Sequence, residues 1–109
     1  MKRQLLLRVE ESFLIAGRGL VVVPHLEPIP QGFRPFADSV VVRHPDSSEN
    51  EMTARFDLSH FRLLEGGGKW MIAVSFPVAS KQLVPVGSEL WVSESAFNIL
   101  NLRIETAGA

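Results

Sequence analysis

The stretch Phe13-Leu14-Ile15-Ala16-Gly17-Arg18-Gly19-Leu20-Val21-Val22-Val23-Pro24 sets two glycines around one arginine, between two apolar runs. Such a segment either cradles a phosphate or turns the chain back on itself. A dinucleotide fingerprint needs a third glycine three residues after the second, followed by a helix whose N-terminus meets the pyrophosphate. Here that place is Val22, and Gly19 leads into Leu-Val-Val-Val-Pro, a strand pattern. A P-loop is excluded as well, because Gly68-Lys69 is followed by Trp70 rather than serine or threonine. The remaining reading is a hairpin, with the two-residue type II′ turn that takes glycine at its first central position.

Outward from that hairpin the dominant period is two. In Met52-Thr53-Ala54-Arg55-Phe56-Asp57-Leu58-Ser59 every second residue is apolar, the mark of a half-buried strand. Trp70, Ile72, Val74, Phe76 and Val78 form a second such face, with Met71, Ala73 and Ser75 opposite. On this reading Trp70 heads a core face, and Gly66-Gly67-Gly68 joins the two strands as a hairpin. Further strands are expected over residues 4–10, 12–15, 20–23, 39–43 and 89–93. The segment 95–105 is open between a short helix over 95–100, capped by Ser93 or Ser95, and a strand over 100–105. Five turn formers, Pro24, Pro28, Pro30, Gly32 and Pro35, make residues 25–36 an irregular excursion. Residues 45–50 and 85–88 read as turns.

Seven or eight short strands at this spacing predict an all-β sandwich or small closed antiparallel β-barrel. The barrel is preferred, because Val40-Val41-Val42 and Leu20-Val21-Val22-Val23 are too apolar for an open edge.

At 109 residues the sequence is expected to form one domain, and its 46% hydrophobic and 21% charged content is that of a folding chain. A net charge of −1 supplies no positive field for phosphate backbones, so nucleic acid is disfavoured by charge. There is no cysteine, which removes disulfides and thiolate metal sites and fits a reducing compartment. Arg8 and Glu10 interrupt the only leader-like apolar run, and no stretch approaches the roughly 20 apolar residues of a membrane-spanning helix. A cytoplasmic protein without membrane association is therefore expected.

The residues Phe13-Leu14-Ile15-Ala16-Gly17-Arg18-Gly19-Leu20-Val21-Val22 resemble the start of the second domain of translation GTPases such as elongation factor Tu, which typically reads F-x-I-x-G-R-G-T-V-V. Looser likenesses are the strand carrying Val40 to Val42, a lysine at Lys81, and Gly87-x-x-Leu90 before the last strand. The resemblance implies a closed antiparallel barrel, here read as free-standing because the GTPase domain is lacking. In translation factors that barrel packs on the GTPase domain and helps hold the acceptor end of transfer RNA. No residue of this sequence matches a family contact well enough to inherit that role. Pro24 stands where the family usually has glycine, and the proline-rich run to Pro35 replaces a regular hairpin.

Chemistry is sparse. His25, His44 and His60 lie in separate segments without metal-ligand spacing and read as surface or turn residues. Asp57, Ser59 and His60 invite a triad reading, yet alternation puts Asp57 and Ser59 on the solvent face and His60 on the other. Glu10 and Glu11 point to opposite faces and form no acid–base pair. No catalytic, cofactor-binding or metal-binding residue is assigned. Arg18, Arg34, Arg43, Arg55 and Arg62 would suit a phosphate or carboxylate if they lined one face, although nearby acidic residues favour charge-balanced solvated strands. Trp91 alternates with Leu90 and Val92, so one set faces outward and forms an apolar patch with Phe33, Pro35 and Phe36. Phe33 and Phe36 serve equally well as plugs for a barrel end. The candidate partner-binding residues are thus Arg18, Phe33, Arg34, Phe36 and Trp91. The expected function is a non-catalytic binding module for a protein partner or for self-association. An RNA-binding barrel related to translation and a small ligand-binding barrel or enzyme are the alternatives.

Overall fold

The computed structural model describes residues 3–78 and 80–100. Its strands are β1 (Arg3–Arg8), β2 (Glu11–Ile15), β3 (Gly19–Leu26), β4 (Phe36–Arg43), β5 (Glu49–Arg62), β6 (Gly68–Phe76) and β7 (Glu89–Ser93). A 3-10 turn, Lys81–Leu83, precedes β7, and the helix α1 (Glu94–Leu100) succeeds it. All ladders are antiparallel and form one sheet in the order β1-β7-β4-β5-β6-β3-β2.

The period-two pattern translates directly into the core. Ala54 and Phe56 of β5 are fully buried while Thr53 and Arg55 beside them are exposed. Leu20 and Val22, Val40 and Val42, Ile72 and Val74, and Leu90 and Val92 supply the same inward face from the other strands. The two most apolar strands are shielded as expected, since β4 lies between β7 and β5, and β3 lies between β6 and β2.

The glycine-arginine-glycine turn is a hairpin, but of a different type from the expected one. Ile15 pairs with Gly19, so the loop holds three residues, and the Arg18 N–H donates to the Ile15 carbonyl at 2.9 Å. Positive φ falls on Gly17 (+82°), the third residue of that turn, as in type II, and again on Gly19 (+89°).

Strand boundaries depart from expectation where a register break rescues them. β3 continues through Pro24 to Leu26, because its pairing with β6 jumps from Val22–Val74 to Leu26–Ile72. Pro24 sits inside that bulge, where a missing N–H breaks no ladder bond. The irregular excursion is therefore confined to residues 27–35. Trp70 is a second correction, being 58% exposed. The β5–β6 ladder runs on to Arg62 opposite Gly68, past the end of the core, and carries Trp70 out with it beside His60. Helix prevails over strand for 95–100: Ser93 caps α1 by accepting from the Ala96 N–H at 3.1 Å, and Ala96 and Leu100 are buried. The expected strand beyond residue 100 lies outside the described residues.

The margins of the sheet are β1 and β2, which form no ladder with each other. They are nevertheless consecutive in the chain, joined by Val9 and Glu10. Val9 is buried and exchanges backbone bonds with Ser88 and Gly87, both at 2.8 Å, ahead of β7. The Glu10 N–H donates to the Val23 carbonyl of β3 at 2.8 Å. One run of chain thus serves both margins.

Candidate functional site

Four of the five candidate residues gather around Pro35. On one side of it lies a cavity of about 340 Å³ lined by Gly17, Arg18, Arg55, Asp57 and Ser75. On the other lies a more apolar groove of about 660 Å³ lined by Phe33, Arg34, Phe36, Asn98 and Ile99. Pro35 contributes to both.

The polar half is built by strand register. Arg55 of β5 pairs with Ser75 of β6, which pairs with Val21 of β3, so their side chains share the face turned away from the core. That face is closely covered despite its polarity, since Val21, Ala73 and Ser75 are each no more than 4% exposed. Arg18 extends across it from the hairpin and its Nη1 donates to Ser59 Oγ at 2.8 Å. Ser59 accordingly does not face open solvent as alternation predicts, but is 9% exposed, with Arg18 bonded to its hydroxyl. Asp57 accepts from Arg55 Nη2 at 3.4 Å. His60 points to the opposite face, which leaves no Ser-His-Asp arrangement in this strand.

The apolar half rests on stacked rings. Phe36 stacks on the buried Phe56 at 4.7 Å, and Phe33 meets Phe36 edge-on at 6.1 Å. Both half-buried rings pack against the core while lining the groove, so they plug one end of the sheet and offer a surface. The opposite wall is α1, through Asn98 and Ile99, with Ile99 45% exposed.

Trp91 does not join them. Leu90 and Val92 are fully buried, so Trp91 faces outward, half-buried, in register with Val41 of β4 and Leu5 of β1. Its Nε1 donates to Glu89 Oε1 at 3.1 Å. The cavity beside it is lined by Arg3, Val41, Arg43 and Glu49 and shares no residue with the Pro35 site. The five arginines are likewise divided: Arg18 and Arg55 meet in one cavity, Arg34 adjoins it, and Arg43 pairs with Glu49 elsewhere. Arg62 lies at the far end of the β5–β6 ladder.

The histidines stay apart. His44 Nε2 bonds Asn50 Oδ1 at 2.5 Å. His25 is half-buried on β3, stacked on Phe61 at 3.9 Å, with its Nδ1 buried and unpartnered among the described residues. Burial lowers the His25 pKa by penalising the charged ring. Among the described residues no group of three or more His, Cys, Asp or Glu is placed to hold a metal ion, and no helix is long and apolar enough to cross a membrane. No family model, curated protein or solved structure matches the chain.

Proposed function

We propose that this chain is a non-catalytic binding module of the translation-factor second-domain type, whose face around Pro35 docks a protein partner. The barrel reading is supported by the continuous run β1–β2, which serves both margins of the sheet through Val9 and Glu10. The observation that carries the function is the shared proline: a cavity with two guanidinium groups and an apolar groove open on either side of Pro35. A partner segment suited to both carries a negative group next to an apolar side chain. Arginine and aromatic side chains are enriched where proteins meet, and Arg18, Phe33 and Phe36 are the side chains this face presents.

The test is affinity capture from the protein's own cytosol with Arg18→Glu, Phe33→Ser and Trp91→Ala chains. The expected result is one captured protein that is lost with Arg18→Glu and Phe33→Ser but kept with Trp91→Ala. A captured set unchanged by the first two substitutions overturns the reading. Capture abolished by nuclease overturns it in favour of RNA.

A further inference from the structure

The arginines of this protein differ in how far their charge is already answered. In the cavity formed by Arg8, Arg43, His44 and Glu89, Arg8 holds Glu89 at 2.9 Å and Arg43 holds Glu49 at 4.0 Å. Arg3, in the cavity beside Trp91, holds Glu51 at 3.2 Å. Arg18, like Arg34 and Arg62, has no carboxylate among the described residues within 4.0 Å, but of these three it is the one that lines a cavity with a second guanidinium group. Its partner is the neutral hydroxyl of Ser59, which fixes the guanidinium across the sheet face without neutralising it. Among the described residues Arg55, in the same cavity, is balanced only by Asp57 at 3.4 Å. The cavity therefore contains two guanidinium groups and one carboxylate. Its floor carries Ser75, whose hydroxyl is a further donor on a residue only 4% exposed. Its rim includes Gly17, where the space a side chain would take is empty.

We infer that the cavity between Arg18, Arg55 and Ser75 is a binding site for a phosphate-class oxyanion, and that its source is a phosphate monoester on a side chain of the docked partner. Guanidinium groups bind phosphate through paired charge-assisted N–H donors, and donors arriving from a hairpin and two strands suit a tetrahedral anion better than a planar carboxylate. At about 340 Å³ the cavity lies near the lower end of ligand pockets, roughly 300–1,000 Å³, and so suits a small group rather than a nucleotide. Asp57 leaves one net positive charge in the cavity, which attracts a phosphate monoester of about −1.5 to −2 charge without neutralising it and leaves a polyanion still less balanced. This inference rests on the Pro35 face being the docking surface.

The test is a titration of the whole chain, followed by backbone amide NMR, with inorganic phosphate, with phosphoserine, and with sodium chloride at matched ionic strength. Amides of Gly17, Arg18, Arg55, Ser59 and Ser75 are expected to shift and saturate with both phosphate compounds and not with chloride. Arg18→Gln weakens the binding about tenfold or more, in keeping with loss of a charge-assisted contact, while Arg43→Gln does not. Tighter binding of phosphoserine than of inorganic phosphate supports the partner-borne source, and the reverse order overturns that source in favour of the free ion. Identical shifts in chloride, or unchanged binding by Arg18→Gln, overturn the site. Capture that depends on Arg18 without any saturable phosphate binding leaves the docking surface standing and removes this inference alone.

Discussion

Gly19 lies directly against the main chain of Phe76: a methyl group built on its α-carbon would overlap the Phe76 carbonyl oxygen. Gly17, two residues earlier in the same hairpin, also has positive φ but faces open space. The pair separates two reasons for glycine. Gly17→Ala is expected to cost about 1 kcal/mol for conformation alone, whereas Gly19→Ala adds a backbone clash and costs about 3 kcal/mol or more. Denaturant unfolding of both chains measures the difference, and equal losses would show that β3 and β6 do not approach as described.

Ser88 is fully buried, and its hydroxyl has no hydrogen-bond partner among the described residues. A buried unpaired hydroxyl is destabilising, and its removal leaves the backbone bonds of this turn in place. Ser88→Ala is expected to raise stability by about 1 kcal/mol, seen as a higher urea midpoint with unchanged slope.

The half-buried ring of His25 gives the fold a dependence on pH whose sign is fixed by its lowered pKa. The unfolded chain takes up the proton near the ordinary value of 6.5, while the folded chain resists until lower pH. Stability associated with the neutral ring is complete above that value and is lost as pH falls through it toward the folded pKa. The urea midpoint should therefore fall as pH drops below about 6.5, and His25→Phe should flatten this decline. A parallel decline in both chains would assign it to other groups.

Trp70 and Trp91 can be told apart by solvent access. Trp70 is 58% exposed beside His60, whereas Trp91 is half-buried over the β1–β7–β4 face. Iodide should quench the wild-type emission strongly, and Trp70→Phe should remove most of that quenching with little loss of stability. Retention of the quenching would return Trp70 to the core.

Alternation is a sound guide to which residues share a face and a poor guide to what covers that face. Asp57 and Ser59 do lie together, opposite His60, but only the third dimension brings Arg18 over Ser59 from 41 positions away. Trp70 lies on the same face as Ile72 and Val74, yet the hairpin outruns the core, a length mismatch that period two does not encode. Phe33 and Phe36 are readable as plug and as surface, and they are both, because a ring at a sheet end has one side for each. Arg18 and Phe33 converge through Pro35, a relation that no spacing in the sequence announces.

The arrangement of β1 and β2 bears on how the molecule assembles. β2 finds β3 across a three-residue loop, but β1 must wait for β7, which is nearly the whole chain away. During synthesis β1 therefore remains without this neighbour until β7 has been made. Such a long-range pairing slows folding, because closing the long intervening loop costs entropy before the β1–β7 contacts repay it.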